Sequence, residues 1–382
     1  MEYRQFGKLD WKVSALGFGG GRFPVIGSDK SKINEDQAIK MIRYAIDHGV
    51  NYLDSGYEYH RGNSETLIGK ALRDGYRQKA KVATKMPVWL VNSQSDMTRI
   101  LNEQLIKLQS NHIDFYLLHG LKRDRWLKMK QLNVIDWAER AIEEGKITHF
   151  GFSFHDDYEV FKEIVDDYDK WDLCQIQYNY LDQDFQAGTR GLRYAASKKI
   201  AVVVMEPIAA GMLALKPSKD TQNIWDKAET KKTPAELALQ WVWDHPEVSV
   251  ALSGMSAMEQ VIENIGSASR SKQKKLTKKE LKLISELKKK HLEGRLIGCR
   301  DCGYCMPCPQ GVDIPKNLAF YNEFGRFRFG NEKALKELVA RYNETVPAEN
   351  RATECAKCGQ CEDKCPQQLP IRNLLAEVVI DF

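Results

Sequence analysis

Eight of the nine cysteines in this chain of 382 residues fall in two short runs near its C-terminus, and they decide what that end can fold into. The first run is Cys299, Cys302, Cys305 and Cys308, followed by Pro309; the second is Cys355, Cys358, Cys361 and Cys365, followed by Pro366. Three thiolates at three-residue intervals wrap one loop around a cubane face, and soft sulfur ligands suit iron–sulfur chemistry. The second run matches C-x2-C-x2-C-x3-C-P, and the first is one residue shorter before its last cysteine. In that pattern the fourth cysteine of each run ligates the other cluster. Two 4Fe–4S clusters are therefore expected, one on Cys299, Cys302, Cys305 and Cys365, the other on Cys355, Cys358, Cys361 and Cys308. Structural zinc is the competing reading, since paired C-x2-C units also make tetrahedral sulfur sites. Four crowded cysteines per run, each run closed by proline, argue against it.

Ahead of the cysteines the pattern changes. Short β-branched or apolar runs at 13–16, 51–53, 81–84, 113–118, 148–152, 173–176, 201–204 and 248–252 alternate with longer amphipathic stretches, such as 36–47, 96–108, 132–144 and 234–245. Strands alternating with helices imply parallel βαβ units. Eight repeats in about 250 residues suit a closed (β/α)8 TIM barrel. An open doubly wound sheet is the alternative, but Gly17, Gly19, Gly20 and Gly21 lack the G-x-G-x-x-G spacing that would favour it.

Residues 271–292 are lysine-rich, with Leu281, Ile284 and Leu287 at helical spacing and a capping box of Thr277 and Glu280. This stretch reads as a solvated helix. It separates a barrel at 1–270 from a small, mostly α-helical iron–sulfur domain at 293–382. A net charge of +5 is modest and does not argue for nucleic acid. No apolar run is long enough to span a bilayer, and residues 1–10 lack a signal-peptide pattern. Clustered rather than scattered cysteines fit a reducing compartment, so the expected localisation is cytoplasmic.

Four polar residues lie where the expected strands end. Asp54 follows 50–53, Lys85 follows 82–84, His119 follows 115–118, and Tyr59 lies in the loop after Asp54. In a barrel these strand ends converge on one mouth. Reducing a carbonyl needs a hydride on carbon and a proton on oxygen. A free phenol, with a pKa of about 10, is a poor acid at neutral pH. A neighbouring Lys85 ammonium would favour the phenolate of Tyr59, Asp54 would hold that lysine charged, and His119 could orient the carbonyl.

The same residues carry a resemblance. Asp54-Ser55-Gly56-Tyr57-Glu58-Tyr59, trailed by Asn63-Ser64-Glu65, is similar to the Asp-Thr-Ala-x-x-Tyr element of the aldo-keto reductase family. Thr84-Lys85 and Leu117-Leu118-His119 match the family's other two tetrad positions, and residues 3–19 are similar to its N-terminus. The resemblance spans about residues 1–265. Within the family the chain most resembles the group with a C-terminal two-cluster ferredoxin-like domain, and the helical stretch 332–342 resembles α-helical ferredoxin domains of larger redox enzymes. It implies catalytic roles for Asp54, Tyr59, Lys85 and His119 in reversible reduction of an aldehyde or ketone, with NADP or NAD.

It also implies that Ser153 and Gln175 hold the nicotinamide amide, and that Glu263 and Asn264 stand at the adenine end. Four positions depart from the family. Phe154 replaces an asparagine, and Met205, followed by Glu206, replaces the aromatic residue that stacks on nicotinamide. Gly254 and Gln260 stand where a lysine and an arginine usually grip the 2′-phosphate, which implies NADH or weak discrimination. Trp89, Trp126 and Tyr178 are candidates for lining the mouth, and Cys174 for a buried core thiol.

Nicotinamide moves two electrons as hydride, whereas each cluster moves one. The first reading is therefore a carbonyl reductase with the clusters as relay. The second is a nicotinamide-independent reductase fed by a ferredoxin- or flavodoxin-like partner. A redox-sensing scaffold is the third, and the complete tetrad argues against it.

Overall fold

The computed structural model describes all residues except 28, 218, 229, 294, 295, 328–331 and 382. Backbone contacts divide the chain into two compact units. One comprises Met1–Ile208, Leu213–Leu215 and Lys231–Thr277; the other comprises Ala209–Met212, Lys216–Thr230 and Lys278–Phe382.

The first unit opens with an antiparallel hairpin, β1 (Tyr3–Gln5) and β2 (Lys12–Ser14), and continues into a closed barrel of eight parallel strands. These are β3 (Leu16–Gly19), β4 (Tyr52–Asp54), β5 (Lys81–Met86), β6 (Ile113–Leu121), β7 (Ile147–Phe154), β8 (Leu173–Gln177), β9 (Ala201–Met205) and β10 (Val248–Gly254), with β10 pairing back onto β3. Each βα repeat of the sequence has become one stave of the barrel. The expected first strand, 13–16, is divided in two: Val13 belongs to the hairpin and Leu16 to the barrel wall. Its apolar run is continuous because both halves are buried.

The hairpin plugs the N-terminal end of the barrel. Phe6 and Val13, with Leu9 and Trp11, pack against the inward-facing Tyr52, Ala83, Phe115, Leu117, Leu173, Ala201, Val203, Val250 and Leu252. Gly7 makes the turn at φ 55°, and a Cβ there would lie 2.6 Å from both Ala201 N and Lys199 O. Only glycine meets both demands. Burying a ring such as Phe6 contributes about 1.5–3 kcal/mol.

Side chains alternate along a strand with a period of two, so this layer determines what lies above it. One step beyond Tyr52, Ala83, Leu117, Leu173 and Val203 come Asp54, Lys85, His119, Gln175 and Met205. The barrel therefore delivers the polar strand ends to its C-terminal mouth, over an apolar floor.

In the second unit the helix Lys278–Leu292 packs on Lys219–Ala228. It buries Leu283, Ile284 and Leu287, whereas Leu281, expected on the buried face, is 45% exposed. The cysteine loops follow, with helices Ile314–Phe327, Glu332–Thr345 and Ile371–Asp381. The first and last of these each begin in the apolar segment after a cysteine run and pack on each other. Val312, Ile314, Leu318, Tyr321, Tyr342, Val346, Ile371, Leu375 and Val378 form their shared core, together with Cys365. Each cysteine run is thus followed by a helix, a loop-and-helix unit that occurs twice.

Candidate active site and cysteine loops

Lys85 lies at the centre of the barrel mouth and is almost fully buried. Its Nζ donates to Asp54 Oδ1 at 2.6 Å, to the Ser55 carbonyl oxygen at 2.5 Å and to the Tyr59 hydroxyl oxygen at 3.3 Å. Three donors thus have three acceptors, which fixes the ammonium in place. Burial raises the Asp54 carboxyl above its usual range, and the Lys85 charge opposes that rise. The ion pair thus works against protonation of the buried acid.

A second tier holds this one. Gln104 Nε2 donates to the Lys85 carbonyl oxygen at 3.1 Å and to Glu65 Oε1 at 2.6 Å. Glu65 also accepts from Thr84 Oγ1 at 2.6 Å, and Tyr116 hydroxyl donates to Gln104 Oε1 at 2.6 Å. The Ser64 hydroxyl donates to the Gly20 carbonyl oxygen at 2.9 Å. The motif residues Ser64 and Glu65 therefore pin the loop after β3 and the strand that carries Lys85. Gln104 was not evident from sequence, because its helical position gives no sign of what it reaches.

His119 meets the Tyr59 ring edge-on at 5.8 Å and the Trp89 ring at 5.0 Å. Burial, aided by the charges of Lys85, His155 and Arg125, holds its pKa well below 6.5. Its Nδ1 is enclosed, with no hydrogen-bond partner among the described residues. Of the three aromatic candidates only Trp89 lines the mouth, with the Arg125 guanidinium 5.0 Å over its ring. Trp126 is buried in the helix layer, donating to Asp167 Oδ2 at 2.7 Å. Tyr178 packs likewise on Trp241, with its hydroxyl against Thr189 and His245. Cys174 is fully buried, and burial pushes its pKa up.

His155 is a site residue that the sequence reading missed, although it follows the end of β7 as the tetrad residues follow theirs. Its Nδ1 faces Gln186 Oε1 at 3.3 Å, and burial lowers its pKa to about 4 despite that contact. Lys122, Arg125 and Lys85 add to the lowering. The unfolded chain takes up a proton here below about pH 6.5, and the folded chain refuses it until about pH 4. Stability should therefore decline as pH falls through that window, by roughly 2 kcal/mol at pH 5 from this group. Urea midpoints at pH 7 and pH 5 check it. His155→Gln should narrow the difference between them, and an unchanged difference would remove His155 as the cause.

The nicotinamide candidates are more scattered. Ser153 and Gln175 are buried neighbours on β7 and β8, in register with each other. Ser153 Oγ accepts from Gly120 N at 2.7 Å. Gln175 Oε1 is buried with no partner among the described residues, as an acceptor kept for an amide N–H would be. Phe154 is fully buried and packs on Phe161 of the helix behind the strand, at 5.1 Å between rings. It faces away from the mouth. Met205 ends β9, and the following Glu206 has φ 56°, a strained backbone for a residue with a side chain. Asn264 is buried and donates to Ser253 Oγ at 3.1 Å, while Glu263 accepts from Thr233 Oγ1 at 2.5 Å. Both lie in the helix Met258–Ala268.

The sequence model of the aldo/keto reductase family matches residues 15–289. The chain belongs to the aldo/keto reductase family. A 4Fe–4S dicluster domain matches residues 298–369. Among curated relatives, the uncharacterized oxidoreductase YqkF of Bacillus subtilis is 25% identical over 316 residues, covering 74% of this chain and 95% of its own length. Among solved structures, aldo-keto reductase AKR11C1 from Bacillus halodurans in its holo form superposes with a TM-score of 0.62 at 28% identity, covering 75% of this chain and 96% of that one. An aldo-keto reductase from Klebsiella pneumoniae in complex with NADPH shares the fold, with a TM-score of 0.60 at 23% identity over 75% of this chain and 94% of that one. This aldo/keto reductase is therefore an oxidoreductase with a 4Fe–4S ferredoxin-type domain. Among the described residues, no helix is long and apolar enough to cross a membrane.

Cysteines of the two runs come close to one another. The charges of Cys302, Cys299 and Cys365 add to burial in raising the Cys305 pKa, so these four lie together. Cys308, Cys355, Cys358 and Cys361 line one small pocket that Cys305 also borders, with Pro309 and Arg372 at its wall. Burial leads the causes that push Cys361 up to about 11, and Cys355 and Cys358 add to it. Among the described residues, no three Cys, His, Asp or Glu side chains close on a single-ion site. Thiolates gathered from both runs suit the 4Fe–4S dicluster domain that the sequence matches.

Proposed function

We propose that the barrel reversibly reduces an aldehyde or ketone to an alcohol with NADPH or NADH, and that the C-terminal domain holds two 4Fe–4S clusters for electron transfer. The observation that carries the reading is the hydrogen-bonded chain from Asp54 through Lys85 to Tyr59, with His119 beside it. The bound nicotinamide would supply the hydride. Lys85 donates to the phenol oxygen, so the phenol's own proton is directed to the substrate oxygen. As that proton leaves, the adjacent ammonium stabilises the phenolate. Asp54 pairs with the ammonium and holds it in place. His119, held neutral, is available to donate one N–H to the carbonyl oxygen.

Ser153 and Gln175 are assigned to the nicotinamide amide, and the unpartnered Gln175 oxygen supports this. Glu263 and Asn264 are assigned to the adenine end. Cys299, Cys302, Cys305 and Cys365 would hold one cluster, and Cys355, Cys358, Cys361 and Cys308 the other. In this reading residues 1–270 are the catalytic barrel, 271–292 join it, and 293–382 hold the clusters, in a reducing cytoplasmic setting. The substrate is a small molecule.

Anaerobic holoprotein should oxidise NADPH or NADH at the nicotinamide band when offered aldehydes or ketones. It should contain roughly eight irons per chain with matching sulfide. Four irons, or stoichiometric zinc, would refute the two-cluster half. Binding of neither nucleotide would overturn the first half. That result would favour a reductase fed by a ferredoxin- or flavodoxin-like donor, which Met205 in place of a stacking aromatic supports.

A further inference from the structure

We propose that the loop of the second cysteine run is the docking surface for an external one-electron carrier protein with an acidic face, and that the domain exchanges electrons there. The inference rests on the two-cluster reading above. It begins with a comparison of the two runs, which fold into the same loop. Asp301 and Lys357 both hold left-handed backbone, at φ 52° and 55°, and Gly303 and Gly359 follow at 75° and 80°. The side chains on that shared path differ. After the first cysteine the first run has a buried Arg300, and the second has an exposed Ala356. Cys302 is half-buried, whereas its counterpart Cys358 is exposed, alone among the eight cysteines of the two runs. Electron transfer between proteins weakens steeply with distance. The cluster assigned to Cys358 is therefore the one that a carrier can approach most closely.

The open loop is also braced. Glu362 accepts from Arg372 N at 2.8 Å, from its Nε at 3.0 Å and from its Nη2 at 2.7 Å. The guanidinium so held lies over Gly359, where a Cβ would stand 3.5 Å from Arg372 Cζ. The residue next to Cys358 is thus clamped from the helix Ile371–Asp381, which packs in the core of the domain. A carrier meets a surface that is already shaped.

Charge selects the partner. The pocket of Cys308, Cys355, Cys358 and Cys361 is lined by Lys357, Lys364 and Arg372 and, among the described residues, by no carboxylate. Arg372 is committed to Glu362, but Lys357 and Lys364 are exposed and have no hydrogen-bond or ion-pair partner among the described residues. Glu354 and Asp363 are exposed on the same segment but stand outside the pocket lining. At the tip of the first loop the residue matching Lys357 is Asp301, so the sign is reversed between the halves. Cations on the rim of such a surface attract and orient an acidic partner. In each encounter one electron passes from the reduced carrier to the cluster, the carrier is oxidised, and no bond is made or broken. Two encounters supply the electron pair that one hydride carries.

The test uses anaerobic holoprotein and oxidised flavodoxin, an acidic carrier. Affinity is read by calorimetry at an ionic strength of about 0.1 M, where charges beyond about 10 Å are largely screened. Lys357→Glu combined with Lys364→Glu should weaken binding at least about tenfold, a difference of about 1.4 kcal/mol. Bleaching of the cluster absorption by reduced flavodoxin should slow in step, while bleaching by photoreduced 5-deazariboflavin, a small uncharged reductant, should not. Iron per chain should match the native protein. Lys278→Glu with Lys289→Glu makes the same change in net charge on the basic helix and should leave the affinity nearly unchanged. An equal loss in that control would move the docking to the basic helix and overturn the proposal. So would an unchanged affinity in the loop variant, or a native chain that binds no flavodoxin. About four irons per chain, or zinc, would refute the two-cluster reading itself; roughly eight irons with normal binding by the loop variant would refute the docking alone.

Discussion

Tyr59→Phe is expected to lower carbonyl reduction by about 10²–10⁴-fold, the usual worth of a positioned general acid. The variant removes one oxygen and leaves the ring, whose half-buried place against His119 needs no hydroxyl. Lys85 keeps its two shorter bonds, to Asp54 and to the Ser55 carbonyl, so the ammonium stays paired. Iron content, thermal midpoint and nucleotide affinity should therefore match the native chain while kcat falls. That separation matters. Lys85→Met would also abolish turnover, but it strands a buried Asp54 carboxylate, and breaking such a pair costs about 3–5 kcal/mol of stability. Near-normal turnover in Tyr59→Phe would leave the Asp54–Lys85–Tyr59 chain as a structural network and move the proton source elsewhere.

Much of this architecture was legible because it follows from periodicity. Asp54, Lys85 and His119 each follow an apolar run whose alternate residues face inward, and a barrel turns that parity into convergence. Tyr59 needed the motif, since its placement depends on a loop whose His60 and Arg61 adopt left-handed backbone that no side-chain pattern announces. Trp126 and Tyr178 show the limit of composition. Both are aromatic and near strand ends in sequence, yet both face the helix layer, where indole and hydroxyl found partners in Asp167 and Thr189. Leu281 was expected on the buried stripe of the basic helix, and Leu283 took that place beside Ile284 and Leu287. Three apolar residues at equal spacing do not reveal which face meets a neighbour. Gln104 and His155 lay outside any motif because what defines them is contact through space.

The crossed cysteine arrangement makes the second large-effect prediction, and pairs of substitutions decide it. Cys308 lines the cavity of the second run, and Cys365 lies with Cys299, Cys302 and Cys305. Cys308→Ala should therefore cost the cluster of Cys355, Cys358 and Cys361, leaving about four of roughly eight irons. Cys358→Ala should cost the same cluster. The double variant of Cys308 and Cys358 should still hold about four irons, because both substitutions strike one site. Combining Cys308→Ala with Cys302→Ala should leave almost none, because the two strike different sites. An uncrossed arrangement demands the reverse: the first double variant would be empty and the second half-loaded. Iron and sulfide per chain, measured on anaerobically purified protein, separate the two arrangements without any assay of turnover. Cys365→Ala adds a check from the other side, since its cluster should be the one that remains in the first double variant. Cys365 is buried in the shared helical core, so that variant should also melt lower than Cys308→Ala, whose side chain is only partly buried.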